Sequence, residues 1–166
     1  MLGRQVRLVA LALVLASCAS ARAEGQPQAQ TGPVEAKREE LQEVYVGYLK
    51  REGYSPEIDS DGNVTFKLEG GRYVILIDPK DRAFFHLAYF GFWKVETDAD
   101  RQKALAAANQ AMMTTKLAKV LVTKKTVVAT VGLFVREPAE FATFFERAVR
   151  GVQLAVRKFA DEMAKN

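Results

Sequence analysis

The sequence predicts an α+β domain, a five-stranded antiparallel sheet with three helices packed mainly on one face, in the order α-β-β-β-α-β-β-α. Residues 64–94 hold three strand-like runs separated by the turn signals Glu69-Gly70-Gly71-Arg72 and Asp78-Pro79-Lys80-Asp81. Two further β-branched runs, 117–123 and 127–135, are joined by Lys124-Lys125 and read as a hairpin. Three other segments place apolar residues at helical spacing, before, between and after these strands.

Residues 1–23 have the parts of an export signal: Arg4 and Arg7, an apolar run from Leu8 to Ala16, and small residues after it. A spanning helix needs about 20 apolar residues, roughly twice this run. Its end reads in two ways. Leu15-Ala16-Ser17-Cys18 resembles a lipoprotein box, with lipid attached at Cys18, whereas Ala21-Arg22-Ala23 resembles a cleavage site that frees a soluble protein at Glu24. Both readings place the protein outside the cytoplasm, soluble in the periplasm or held to the envelope by lipid. Residues 24–34, EGQPQAQTGPV, are too poor in apolar groups to enter a core and read as a flexible linker to one domain over 35–166.

In that domain Leu41, Val44, Tyr45, Tyr48 and Leu49 define a helix from about 35 to 52, acidic early and basic late, stopped by Gly53. The first strand alternates, with Val64, Phe66 and Leu68 dry and Thr65, Lys67 and Glu69 wet, as suits an outer strand. Tyr73 to Ile77 is apolar throughout and reads as a middle strand covered on both faces. In the third run Phe85, Leu87, Tyr89 and Trp93 fall on one face, and Phe84, His86, Phe90 and Phe92 on the other. Neither face is built for water. Thr97 to Asp100 supplies cap residues for an Ala-rich helix from about 99 to 114 whose buried face takes Leu105, Ala108, Asn109 and Met112. Glu137-Pro138 starts a long helix in which Phe141, Phe144, Phe145, Ala148, Val152, Ala155, Phe159 and Met163 keep the 3.6 period.

Composition excludes more than it assigns. The formal charge is +4, but Arg4, Arg7 and Arg22 lie in the leader, so the remainder carries only +1 and offers no electrostatic ground for nucleic-acid binding. The one cysteine is Cys18, which leaves the domain without disulfide or thiol chemistry. His86, the single histidine, sits among aromatics and reads as a packed or rim side chain. With no second histidine and no domain cysteine, a zinc site of the usual composition cannot be assembled. Ser55 and Ser60, the only serines after the leader, lie in a turn region without a nucleophile-elbow context. Asp59, Asp61 and Asn63 resemble the start of a calcium loop, but Gly62 stands fourth where an EF-hand needs glycine sixth, and Gly70 occupies the twelfth place. These features predict neither an enzyme nor a bound cofactor or metal. Asn109, placed on a buried helix face, needs hydrogen-bond partners and either ties its helix to the sheet or meets a ligand.

The element order, with Val46-Gly47-Tyr48-Leu49, Gly53-Tyr54, Asp61-Gly62-Asn63-Val64-Thr65-Phe66, Phe90-Gly91-Phe92-Trp93, Ala107-Ala108-Asn109 and Ala118-Lys119-Val120, resembles the YbjN-like family. The resemblance runs from Leu41 to Met163. It implies a fold similar to type III secretion chaperones and a group described as candidate sensory transduction regulators, with no catalytic residues to carry over. An export signal departs from what a cytoplasmic regulator would carry. The expectation is a non-enzymatic, chaperone-like or regulatory protein-binding module of the bacterial envelope, self-associating as a homodimer or pairing with another protein. It would touch a membrane only through a lipid anchor. The binding residues would be Phe84, Phe90, Phe92, Trp93 and Asn109. The alternative is a small-molecule or lipid pocket between the last helix and the sheet around Trp93 and Phe90.

Overall fold

The patterning of residues 33–165, which the computed structural model describes, resolves into three α-helices and one antiparallel sheet. Helix α1 (Pro33–Arg51) starts two residues before the acidic run suggests, because a proline loses nothing in the first helical turn. Strands β1 (Glu57–Ile58), β2 (Val64–Leu68), β3 (Gly71–Leu76) and β4 (Phe84–Lys94) follow. Helix α2 (Asp98–Thr114), strands β5 (Lys119–Val122) and β6 (Thr126–Phe134), a 3-10 segment (Pro138–Thr143) and helix α3 (Phe145–Met163) complete the order.

The α+β class holds, but the sheet has six strands rather than five, in the spatial order β1-β2-β3-β4-β6-β5. The additional strand is β1, whose two residues pair with Val64 and Thr65. Two residues carry no alternation, so a pattern of period two cannot reveal them. Its presence corrects the reading of Thr65 as wet. Thr65 is buried, lies opposite Glu57, and its hydroxyl donates to the Glu57 carbonyl at 3.4 Å.

The start of the last helix also differs from expectation. Pro138 opens a 3-10 segment, and Phe144, at φ −128° and ψ 1°, breaks the chain before α3 begins. Phe141 and Phe145 are both buried although they belong to different helical segments. Phe141 packs edge-on against Tyr45 at 4.8 Å and stacks on Phe85 at 5.4 Å, joining α1 to β4.

Helix α2 is held at its start by a reciprocal cap. The Asp100 amide donates to Thr97 Oγ1 and the Thr97 amide to Asp100 Oδ2, each at 3.0 Å. Its buried residues are Ala104, Ala107, Ala108 and Ala111. Leu105 and Asn109, expected on the buried face, are exposed. Alanines at 104, 106, 107, 108 and 111 make the helix almost equally apolar over a wide arc, so the leucine did not decide which side turns inward. Small side chains let α2 approach α3 and β5 closely.

All three helices and the 3-10 segment gather on one side of the sheet, over a core that includes Leu49, Phe66, Ile75, Leu87, Val131 and Phe159. The opposite side has no covering layer among the described residues.

Candidate functional site

Strand pairing sets the uncovered face. The register runs Glu57 to Thr65, Thr65 to Val74, Val74 to Ala88, Ala88 to Thr130 and Thr130 to Lys119, one continuous row across all six strands. Beside it on the same face lies the row Lys67, Arg72, Phe90, Val128 and Leu121. On the other side come Leu76, His86 and Gly132, then Phe84 opposite Phe134. Val74, Ala88 and Val128 are 8%, 1% and 6% exposed and stand apart from the helix-side core. Their larger neighbours are wet, with Phe90 at 46%, Leu121 at 50% and Phe134 at 80% exposure.

Phe84 and Phe90 therefore stand where the sequence placed them, on the face away from the helices. Phe84 lies across Gly132, where a Cβ would come within 2.5 Å of its Cζ, and its ring meets Phe134 at 5.2 Å. This aromatic cover over a glycine keeps the sheet paired where a side chain is missing.

Phe92 does not join them. The pairing of β4 with β6 passes from Phe90 opposite Val128 directly to Trp93 opposite Val127, so Gly91 and Phe92 form a bulge. Gly91 has φ +70°, a left-handed conformation that suits glycine. The bulge changes the face of Phe92 alone, since Trp93 keeps the face that alternation gives it, and Phe92 and Trp93 both pack against Phe159 of α3, at 5.4 and 5.6 Å. Phe90 and Trp93 are thus on opposite faces and do not line one cavity. A cleft of about 250 Å³ does lie between α3 and the sheet, walled by Tyr73, Tyr89, Gln153, Val156 and Arg157. The bare face has its own groove of about 380 Å³ along Val74, Leu76 and Phe90, with Arg72 and Asp61 at its rim.

His86 sits at the centre of the bare face, half-buried. Its Nε2 lies 2.6 Å from Thr130 Oγ1, and that hydroxyl also lies 2.9 Å from the Leu87 carbonyl oxygen. The contact ties β4 to β6, with the direction of the hydrogen bond set by the imidazole tautomer. Burial, and secondarily the positive charge of Lys119, pull the imidazole pKa below its ordinary 6.5.

Asn109, away from the sheet on the exposed side of α2, offers its amide only to Met113 Sδ at 4.0 Å, which places it outside this site. Asp59, Asp61 and Asn63 form a closed turn: Asp59 Oδ1 accepts the amides of Asp61 and Asn63, and Asn63 Oδ1 accepts that of Ile77. Cys18 and the rest of the leader lie outside the described residues.

No family model and no curated protein match this chain. Among solved structures it is similar to YbjN of E. coli, a candidate transcription regulator, at TM-score 0.54 and 15% identity over 72% of this chain and 92% of that one. Likeness at this identity speaks to the fold, and the fold is YbjN-like.

Proposed function

We propose that the chain is a non-enzymatic protein-binding module of the bacterial cell envelope and that it works through the bare face of its sheet. One observation carries the reading: Phe90 of β4, Leu121 of β5 and Phe134 of β6 are exposed apolar side chains on the side of the sheet that no helix covers among the described residues. Leaving such a surface wet is unfavourable by about 25 cal/mol per Å², and a protein chain laid over it recovers that term. Envelope location rests on the leader, with its basic start, apolar run and Cys18 or Ala23 processing point. A periplasmic protein would not control transcription directly, so the description of YbjN is not carried over to this chain.

The test is a photo-cross-linking residue at position 90 in the producing bacterium, compared with one at Met113, which is 73% exposed on α2. Position 90 should give a discrete adduct identified as polypeptide by mass spectrometry, and position 113 none. Absence of a polypeptide adduct at 90 would overturn the reading.

A further inference from the structure

We propose that the cleft between the β2–β3 turn and α3 is a binding site for a free α-amino acid with an aromatic side chain. Gln153, Val156 and Arg157 of α3 line the cleft, so it opens on the helix side of the sheet and stands apart from the protein-binding reading of the bare face.

Three local features converge on this cleft. The turn Glu69-Gly70 has φ +50° and +80°, and Glu69 is the one non-glycine residue in the left-handed region among the described residues. A two-residue turn of that shape favours Asn or Asp at its first position. Glutamate is longer, and its Oε2 accepts a hydrogen bond from Gln153 Nε2 at 3.0 Å, which holds the carboxylate toward α3. Gly71 is the second feature. A Cβ there would come within 3.0 Å of Tyr89 Cζ and 3.1 Å of its hydroxyl oxygen, so only a residue without a side chain leaves the Tyr89 ring its seat. The third is an aromatic floor, in which Tyr89 stacks on Tyr73 at 4.9 Å and Tyr73 on Phe66 at 5.5 Å.

Two opposite charges face that floor. Glu69 and Arg157 both line the cleft, both are exposed, and neither has an ion-pair partner among the described residues. Burial chiefly raises the Tyr73 hydroxyl above its ordinary pKa of 10.0; Gln153 and Arg157 oppose the rise and Glu69 adds to it, so both charges are felt at one group. The volume, about 250 Å³, is smaller than the roughly 300–1,000 Å³ of drug-sized sites and suits a small ligand. An α-amino acid carries its ammonium and carboxylate on one carbon. The ammonium meets Glu69, the carboxylate enters the guanidinium fork of Arg157, and the ring lies against Tyr89 between Leu68 and Val156. A simple anion would face Glu69 across the cleft, and a simple cation would face Arg157. The pair of charges therefore selects a zwitterion.

Isothermal titration calorimetry of the purified chain with L-phenylalanine, 2-phenylethylamine and 3-phenylpropionate tests the assignment, because the three probes share a ring and differ in their charged ends. L-Phenylalanine should bind wild type with a Kd of about 0.1–1 mM, and either analogue about tenfold more weakly. Glu69→Gln and Arg157→Gln should each weaken L-phenylalanine by about tenfold. Glu69→Gln should also lose the preference over 3-phenylpropionate, and Arg157→Gln the preference over 2-phenylethylamine. Both side chains are exposed, so Tm should stay within about 1 °C of wild type and separate lost binding from lost fold. Equal binding of all three probes, unchanged L-phenylalanine affinity in both variants, or no heat at about 10 mM L-phenylalanine would each overturn the site.

Discussion

Replacing Phe90 with serine should separate binding from folding. Its ring is nearly half in water already, so the lost burial amounts to about 1 kcal/mol. Ile75 is fully buried in the middle strand between Val64 and Leu87, and Ile75→Ala should cost about 3 kcal/mol in removed methyl groups and unfilled space. Phe92 lies between these cases in exposure, but its ring touches Tyr89 at 5.8 Å and Phe159 at 5.4 Å, so Phe92→Ser should also cost about 3 kcal/mol. At about 4 °C per kcal/mol for a domain of this size, Phe90→Ser should lower Tm by about 4 °C and the other two by about 12 °C. The scans belong at one fixed protein concentration, because any association would raise the wild-type value by mass action. Capture of polypeptide by the same samples should fall most for Phe90→Ser, with Ile75→Ala losing capture only in proportion to unfolding. If Phe90→Ser melts the protein as badly as Ile75→Ala, the ring is core and the bare face is not a face. A Phe92→Ser variant as mild as Phe90→Ser would mean that the bulge does not turn Phe92 inward.

Two further outcomes follow from single residues. Because the imidazole of His86 is held below its ordinary 6.5 by burial and by Lys119, the unfolded chain binds its proton first on acidification. Its contribution is fully present above about pH 6.5 and is lost as pH falls through the lower folded value, so urea titrations at pH 7.5 and 5 should show a larger loss in wild type than in His86→Gln; a variant more acid-sensitive than wild type would contradict this. If the leader ends in a lipoprotein box, Cys18→Ser should abolish fatty-acid labelling and release the protein from the membrane fraction, whereas a native N-terminus at Glu24 would refute lipidation.

The sequence made the sheet legible wherever alternation was long enough to read. Phe84, Phe85, His86 and Leu87 fell on their correct faces because β4 keeps strict period two until Phe90. Beyond it, a glycine at φ +70° allowed a bulge that no side-chain pattern announces, and Phe92 was assigned to the wrong face. Gly91 inside an aromatic run was the available signal, since a lone glycine in a strand commonly marks a bulge. Helix α2 failed for a different reason. Its period was clear, but alanine is apolar enough to bury and small enough to tolerate water, so the inward direction was settled by packing against α3 rather than by Leu105 or Asn109. The Glu57 to Lys119 row was out of reach because it joins residues 62 positions apart through four intervening strands, and only the register reveals it.

The bulge at Gly91 also separates two tasks that one strand would otherwise confuse. Up to Phe90, β4 lends alternate side chains to the outside world; after it, both Phe92 and Trp93 serve the interior. Which aromatic ring is wet is therefore governed by where the backbone skips a step, and hydrophobicity has no say in it. A family of such chains could relocate its sticky surface by moving one glycine along the strand, with amino-acid composition and core volume left as they were.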